Sequence, residues 1–513
     1  MKAGSATWST NSTTWKGKEA LRSHLITMTS GKVDKFFMMR DTLESIISTD
    51  MIPWYYKKVD QMNTTIQLEF SEKLGKIRAM HAVGQPPYPH MDGGYMHYLT
   101  DAHIPFARLH DVGGLFGGNM YVDIPNIFRD FSANEYDPAS YDFGFTDELL
   151  KTMHANSVKP IYRLGVTIEN FFEIRAYRIF PPPDYGKWAR ICEHIIRHYN
   201  EGWADGFHFG VEYWEIWNEP EDGPGSGMWR GTDVEFFRLY EVASKHLKAV
   251  FGDRIKVGGY GSCGLDGVFQ DPAAFGLAEV APRGETYRYY FVQYAEKFFR
   301  YISERKCPLD FFSWHCYINA DSDTQHCHSI EDVALLSQAV DYLLKKYGYE
   351  NAERQLNEWN NAWELRFRGT AYAAANAAAM MLVMQDTDTD MLCYYDARIG
   401  ESCFGGMFNP LNYQPLPLYY SFKAFGALYA LGTQALSRSD NPQVYVQAAV
   451  GGSGERLAML TNLGKDTAVT LSCGPDAPRE ILLIDEAHSL SPADNAPGRT
   501  FALRKYQTAL IRF

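Results

Sequence analysis

Nowhere in the sequence do about 18 apolar residues run consecutively, so no membrane-crossing helix is expected. The first residues, Met1-Lys2-Ala3-Gly4-Ser5-Ala6-Thr7-Trp8, lack the apolar h-region of an export signal. Positive charge is in short supply: 49 Lys and Arg against 62 Asp and Glu leave a net charge of −13. That balance argues against nucleic acid or an anionic membrane as the main partner. The eight cysteines are scattered without paired spacing, and reduced thiols in a cytoplasmic protein are the expectation. Internal repeats, low-complexity tracts and blocks of like charge are also missing.

What remains is a chain built to fold. Its 513 residues are 46% hydrophobic and 22% charged, enough for a large core and, at this length, for one large domain with a smaller one. Aromatics reach 15%. Sugar rings present apolar C–H faces that stack on aromatic planes, so this richness suits a carbohydrate site, although an aromatic core would use the same residues.

Residues 1–75 are the least regular. Lys35–Ile47 has helical character, Thr64–Phe70 alternates like a half-exposed strand, and the whole is read as a peripheral segment that partly joins a β-domain. From residue 76 strand-like and helix-like stretches alternate. The strands are Lys76–Ala82, Ile104–His110, Val158–Leu164, Tyr213–Asn218, Ile255–Tyr260, Phe311–Tyr317, Arg354–Glu358 and Met391–Asp396. The helices between and after them include Thr146–Ala155, Tyr185–Asn200, Asp233–Phe251, Arg288–Arg305, Ile330–Tyr347, Ala371–Gln385 and Leu418–Leu431. Eight strand-then-helix units over 76–432 predict a (β/α)₈ TIM barrel, of the α/β class. Residues 433–513 change to short strands separated by turns such as Gly451-Gly452-Ser453-Gly454, and predict a small C-terminal all-β sandwich.

Two strand ends carry the chemistry. Val211-Glu212-Tyr213-Trp214-Glu215-Ile216-Trp217-Asn218-Glu219-Pro220 is apolar enough for a buried strand, and Pro220 ends it, because proline cannot donate to a ladder. Gln355-Leu356-Asn357-Glu358-Trp359-Asn360 has the same form. Active sites of such barrels lie at the carboxyl ends of the strands. There Glu219 and Glu358, on strands four and seven, form the pair that glycoside hydrolysis needs: one acid for the leaving oxygen, one carboxylate for the anomeric carbon. Glu215, four residues before Glu219, falls on the same strand face and is read as a structural carboxylate.

The motif Trp214-Glu215-Ile216-Trp217-Asn218-Glu219-Pro220 resembles the acid/base motif of the retaining (β/α)₈ glycoside hydrolase clan. More narrowly it resembles glycoside hydrolase family 39, the β-xylosidase and α-L-iduronidase family. Phe106-Ala107-Arg108-Leu109-His110 is similar to that family's second strand end, Asp184-Tyr185-Gly186-Lys187-Trp188 to the start of its third helix, and Lys256-Val257-Gly258-Gly259 to its fifth strand. Asp310-Phe311-Phe312-Ser313-Trp314-His315 is similar to the sixth strand. Phe404-Gly405-Gly406-Met407 and Leu418-Tyr419-Tyr420-Ser421-Phe422-Lys423-Ala424-Phe425 are similar to the run after the eighth. The resemblance covers roughly residues 76–432.

It implies that Glu219 is the acid/base and Glu358 the nucleophile, with Asn218 on the sugar 2-hydroxyl. Arg108 would hold Glu358 ionised, or form a structural ion pair. His110 and His315 would contact sugar hydroxyls or support the carboxylates, and Tyr317 and Tyr395 would form walls or donate to the nucleophile. Where relatives carry a Trp on strand eight, this chain has Cys393-Tyr394-Tyr395-Asp396, which alters the stacking platform.

His315-Cys316 and His326-Cys327-His328 match no standard zinc spacing, so neither a metal nor another cofactor is expected. Gly113–Gly118 and Gly258-Gly259-Tyr260-Gly261 lack the context of a nucleotide loop and are read as mouth loops leaving room for substrate. Trp203, Trp229, Trp359 and Trp363 are candidates for the rim. The expected function is therefore a retaining, exo-acting, β-xylosidase-like glycosidase. Other specificities (α-L-arabinoside, β-galactoside) stay open, as does a catalytically inactive carbohydrate-binding protein. The expected partner is an oligosaccharide or glycoside, with homo-oligomerisation open.

Overall fold

Strand and helix signals alternate along the chain because apolar β-rich stretches are punctuated by helix caps. Side chains of Asp184, Ser329 and Thr370 accept from backbone N–H groups three residues on. Thr232 and Glu235 form a reciprocal capping box. Helices end at glycines in left-handed conformation at Gly202, Gly348 and Gly432. In the computed structural model these signals resolve into two layers of architecture. The structure describes residues 62–88, 94–112, 122–167, 179–221, 228–284, 288–318, 327–361, 365–400, 402, 404–493 and 496–513. The expected helix Lys35–Ile47 lies outside them.

Eight strands form a closed, all-parallel barrel: β2 (Ala79–Gly84), β3 (Phe106–Leu109), β4 (Lys159–Leu164), β5 (Tyr213–Ile216), β6 (Lys256–Ser262), β7 (Phe311–Tyr317), β8 (Glu353–Asn360) and β9 (Met391–Tyr394), with β9 pairing back to β2. A helix follows each strand, from the short His97–Asp101 after β2 to Pro417–Leu431 after β9. Inward positions are apolar at the bottom, where Phe106, Ile161, Tyr213, Phe311 and Met391 pack together. Toward the carboxyl ends of the strands the same faces carry Arg108, Arg163, Glu215 and Ser313, all buried. The barrel therefore has an apolar floor and a polar, hydrogen-bonded upper layer.

The remaining strands form one nine-stranded sheet in the order β15-β14-β17-β12-β11-β10-β1-β13-β16. They are β1 (Met62–Lys76), β10 (Thr433–Ser439), β11 (Val444–Val450), β12 (Arg456–Asn462), β13 (Thr467–Ser472), β14 (Glu480–Ile484), β15 (Ser489–Pro492), β16 (Thr500–Leu503) and β17 (Thr508–Arg512). Inward residues from across this sheet, including Ile66, Leu68, Leu460, Leu471, Leu503 and Ile511, share one apolar cluster, so the sheet folds over its own core.

Several elements differ from expectation, among them β15 and β16, where no strands were expected. The first barrel strand begins at Ala79, not Lys76: β1 runs to Lys76 in the other sheet, between β10 (antiparallel) and β13 (parallel). Only Ile77 and Arg78 separate it from the barrel. The strand β10 had no counterpart in the sequence reading because it is polar and follows Gly432 directly. Gly258 and Gly259 lie inside β6 rather than in a mouth loop; a Cβ on Gly259 would sit 2.6 Å from the Ile216 carbonyl oxygen, so the glycine admits the neighbouring strand, not substrate. The Gly113–Gly118 run lies outside the described residues.

The helix Ala371–Met384 is apolar all round because it is buried on both sides. Its outer face meets the β-sheet, where the Gln447 amide donates to the Leu382 carbonyl (3.0 Å) and to Asp386 (2.8 Å), and Gln434 donates to Asp386 (2.7 Å). Residues Met62–Phe513 form one compact unit. Among the described residues no helix is long and apolar enough to cross a membrane.

Candidate active site

Arg108, at the inward face of β3, sets the geometry. Its Nε donates to Glu215 Oε2 (2.7 Å), Nη1 to Glu358 Oε1 (2.7 Å) and Nη2 to Asn218 Oδ1 (2.6 Å). Burial disfavours the guanidinium cation, but the two carboxylates outweigh it and the net shift is upward. Burial alone would likewise raise the Glu215 carboxyl. The Arg108 charge, with hydrogen bonds from Arg108, Ser313 and Asn357, reverses this and holds it below the usual range. Ser313 Oγ and Asn357 Nδ2 each donate to Glu215 Oε1 at 2.6 Å. Glu215 is thus a fixed internal anion.

A shift of register brings Glu358 into the same space. Along β7 and β8, Trp314 pairs with Leu356 but His315 pairs with Glu358. This bulge places one extra residue in β8 and breaks its strict alternation, so the adjacent side chains of Asn357 and Glu358 both reach the barrel interior. Ser313, His315 and Tyr317 keep the two-residue period of β7 and point inward together. Tyr317 Oη donates to Glu358 Oε2 (2.8 Å); burial pushes its phenol well above the ordinary value, so it stays a donor. Both oxygens of Glu358 are then held, one by Arg108 and one by Tyr317.

Glu219 arrives differently. The regular strand β5 ends at Ile216, and Trp217 and Glu219 have φ of 71° and 43°, in the left-handed region. The two-residue parity that put Glu215 and Glu219 on one strand face therefore does not apply. Glu219 is aimed by its anchors: its backbone N–H donates to the Tyr260 and Gly261 carbonyls (3.2 Å each), Trp217 N–H donates to the Leu164 carbonyl (2.8 Å), and the Trp217 indole to the Met228 carbonyl (2.8 Å). Such conformations cost about 1–3 kcal/mol each and persist only where the surroundings impose them. Two residues on, buried Glu221 accepts from the Cys263 N–H at 2.9 Å.

His315 joins the two carboxyls. Its Nδ1 lies 2.6 Å from Glu219 Oε1 and 3.5 Å from Glu358 Oε2. Burial pushes the imidazole down to about 4, with Arg108 adding to the effect and Glu358 opposing it, so it is neutral at ordinary pH. One ligand atom from each of Glu219, His315 and Glu358 lies within 4.8 Å of the others. Such a trio could in principle hold a cation, but Glu358 is already engaged by a guanidinium and a phenol, and His315 by Glu219. The set is wired for protons.

Above these groups sits a pocket of about 210 Å³ lined by Glu219, Glu358, Asn218, Tyr317, His110 and Tyr395, and further by Asp111, Asp396, Arg398, Ser402 and Phe404. Arg108, expected to hold Glu358, and His315, expected on the sugar or beside the carboxylates, are not in the wall. Both are buried beneath it and act through the carboxyls they touch. His110 is in the wall: Arg163 Nε donates to its Nδ1 (3.1 Å), leaving the ring proton on Nε2, 3.2 Å from Asp111 Oδ1. Burial and then the Arg163 charge push it well below the ordinary value. Tyr395 is a wall residue but not a donor to Glu358; its hydroxyl donates to Asp111 Oδ2 (2.8 Å). The aromatic face near it is Phe404, 5.2 Å from the Tyr395 ring and 5.6 Å from Tyr317.

Trp229 and Trp359 are buried in the core, and Trp203 packs on Tyr141 and His194; none lines the pocket, and Trp363 lies outside the described residues. Cys316 and Cys327 are buried, and burial raises the Cys327 thiol well above its ordinary value, opposite to what a thiolate ligand needs. The seven described cysteines are unbridged. Asp111, Asp396, Arg398, Ser402 and Phe404 were not singled out from sequence. Asp111 directly follows the Arg-x-His run and Asp396 closes the expected strand Met391–Asp396, two residues past the observed strand end, positions that could have marked both.

Residues 71–456 match the family model described as Glycosyl hydrolases family 39. The chain belongs to that family. As a family 39 member it is 21% identical over 344 residues to a β-xylosidase of Geobacillus stearothermophilus, an alignment covering 61% of each protein, so the chain spans about three fifths of that curated relative. Among solved structures, a glucosidase from Croceicoccus marinus superposes with a TM-score of 0.68 at 19% identity, over 88% of this chain and 99% of that one. A family 39 β-xylosidase from Caulobacter crescentus superposes with a TM-score of 0.60 at 15% identity, again over 88% and 99%. These likenesses establish the shared barrel fold.

Proposed function

We propose that the protein is a retaining glycoside hydrolase in which Glu219 is the acid/base and Glu358 the nucleophile. The observation that carries this reading is the spacing of the two carboxyls, with oxygens inside 4.8 Å at the floor of one pocket. Retaining enzymes hold their carboxyl groups about 5–5.5 Å apart, whereas inverting ones leave roughly 6.5–9.5 Å for a water.

In the first step a Glu358 oxygen attacks the anomeric carbon, the bond to the leaving oxygen breaks, and Glu219 gives that oxygen its proton. In the second, Glu219 takes a proton from water as the water oxygen displaces Glu358, restoring the original anomeric configuration. His315, carrying its proton on Nδ1, donates to Glu219 Oε1 and so holds the carboxyl that exchanges the proton. Arg108 takes the Asn218 carbonyl oxygen, which turns the amide N–H groups toward a sugar 2-hydroxyl. Asp111, Asp396 and His110 supply polar wall groups for the other hydroxyls, and Phe404 an apolar face in place of a strand-eight tryptophan.

The curated β-xylosidase relatives support a β-xyloside as the first substrate to test, acted on from the end of a short oligosaccharide, with α-L-arabinoside and β-galactoside as alternatives. We assign catalysis to residues 76–432. Residues 433–513 are a buttress joined by β1, a reading supported by the polar seam of Gln434, Gln447 and Asp386 against the barrel helix.

A panel of nitrophenyl pentosides, hexosides and uronides in both anomers identifies the sugar. Glu358→Ala should then lose turnover, and azide should restore it by forming a glycosyl azide of inverted configuration. Full turnover by Glu358→Ala would overturn the assignment.

A further inference from the structure

Two residues past the acid/base, Glu221 is a buried carboxyl that takes part in neither proton transfer. Its surroundings show what it holds. Strand β6 pairs with β7 through Gly259 on Phe312 and then Ser262 on Trp314, so β6 carries one residue too many between those points. Such a bulge takes backbone groups out of the ladder and frees them for other partners. Here they turn to the catalytic residues. Gly261 N–H donates to Ser313 Oγ (2.8 Å), and the Tyr260 and Gly261 carbonyls accept from the Glu219 N–H at 3.2 Å each.

The end of β6 is also pressed against the site. Gly261 has φ of 68°, and a Cβ there would lie 3.0 Å from His315 Nε2 and 3.1 Å from Asn218 Oδ1. A shift of this strand end therefore moves the backbone of Glu219 and the side chains that flank it together. The segment after Glu219 cannot continue the ladder with its own backbone, because Pro220 has no N–H to give. The Glu221 side chain takes over. Its Oε1 accepts from the Cys263 N–H at 2.9 Å, where the carbonyl of a neighbouring strand would stand. Residues 219–221 and 260–263 are thus tied on both sides of Pro220, by the Glu219 N–H and by the Glu221 carboxyl.

The tie is made by an uncharged group. Burial pushes the Glu221 carboxyl up to about 8, with Glu219 adding to the rise and the Glu221 N–H, the Ser262 hydroxyl and the Cys263 N–H opposing it. At ordinary pH it accepts from Cys263 as an amide carbonyl would.

We propose that Glu221 is a positioning residue for the acid/base, bracing the β6 bulge whose carbonyls hold the Glu219 backbone. The proposal rests on the retaining-hydrolase reading. Loss of the brace weakens proton transfer through Glu219 and spares attack by Glu358, which Arg108 and Tyr317 hold from β3 and β7. Its test uses two glycosides of the sugar that the wild-type protein cleaves fastest. The 2,4-dinitrophenyl leaving group departs without a proton, whereas the 4-methylphenyl leaving group needs one. Glu221→Met keeps the volume and removes the acceptor. It should lower kcat/KM for the 4-methylphenyl glycoside about tenfold or more, a part of the roughly 10²–10⁴-fold that general acid catalysis supplies. For the dinitrophenyl glycoside kcat/KM should stay within about twofold while kcat and KM fall together, because the second step, in which Glu219 takes a proton from water, becomes limiting. Glu221→Gln, which restores the acceptor, should recover most of both losses. Equal losses of kcat/KM on the two glycosides, or no loss on either, overturn the proposal, as does Glu221→Gln impaired as badly as Glu221→Met. Should Glu221→Met fail to fold, Glu221→Asp, which withdraws the same oxygens by one methylene, must show the split between the glycosides in smaller measure; wild-type rates on both overturn the brace. Failure of the wild-type protein with every glycoside overturns the hydrolase reading itself, and the brace with it.

Discussion

Arg108 Nη1 lies 2.7 Å from Glu358 Oε1, and both side chains are buried. The same guanidinium holds Glu215 and Asn218, so one cation from strand two fixes groups from strands four and seven. Removing it leaves buried carboxylates without their counter-charge. Arg108→Met is expected to cost about 3–5 kcal/mol of stability and to lower kcat/KM by about 10²-fold or more through misplacement of Glu358. Urea unfolding and steady-state kinetics on the same preparation check both effects.

Tyr317 acts on the other oxygen of Glu358. Tyr317→Phe removes one hydroxyl donor at 2.8 Å and little volume. A hydrogen bond to a charged group is worth about 1.5–3 kcal/mol, so kcat should drop about tenfold or more while the thermal midpoint moves little. An unchanged kcat would mean that the hydroxyl does not tune the attacking carboxylate.

Two buried histidines set an acid limit. Burial pushes His81 down to about 3, and burial with the Arg108 charge pushes His315 down to about 4. Both are neutral in the fold, whereas an unfolded histidine protonates near 6.5. The unfolded state therefore binds more protons as pH falls from about 6.5 toward 4, and stability declines across that window. His81→Gln, outside the active site, should flatten part of the decline in unfolding measurements at pH 7 and pH 5.

Glu221 sets the opposite slope. Burial pushes its carboxyl up to about 8, so it keeps its proton at neutral pH while the unfolded chain has released it. Its contribution is present below the ordinary carboxyl range and is lost as pH rises toward about 8. Glu221→Gln preserves an acceptor for the Cys263 N–H without an ionisable group. Because Glu221 opposes the histidine slope, this variant should gain more stability than the wild type on going from pH 5 to pH 8; an identical pH dependence would show that Glu221 is ionised in the fold.

The parts legible from sequence are those governed by local pattern. Apolar runs closed by Asn-Glu or Arg-x-His mark strand ends, which is why seven of the eight expected barrel strands overlap the observed ones almost end to end. The exception is instructive. Between β1 and β2 only Ile77 and Arg78 intervene, and Arg78 is itself held by the Thr389 and Gln385 carbonyls, so no turn residue signals the passage from one sheet to another. The contact of Arg108 with Glu358 was expected, but its simultaneous hold on Glu215 and Asn218 was not legible, because a guanidinium at a strand end faces pocket or core according to partners that lie 107 and 110 residues away. The bulge that turns both Asn357 and Glu358 inward leaves no compositional mark. Asp111, Arg398, Ser402 and Phe404 sit on connections after the strands, whose paths depend on tertiary hydrogen bonds rather than on periodicity.

The central claim is that Glu358 forms a covalent bond to the sugar and Glu219 serves the proton transfers. The most direct measurement is mass spectrometry after reaction with an activated 2-deoxy-2-fluoro glycoside of the preferred sugar, whose second step is slow. The account predicts a single added glycosyl mass, mapped by peptide analysis to Glu358, with activity lost in proportion. A label on any other residue, or a product released with inverted anomeric configuration and no adduct, would contradict it.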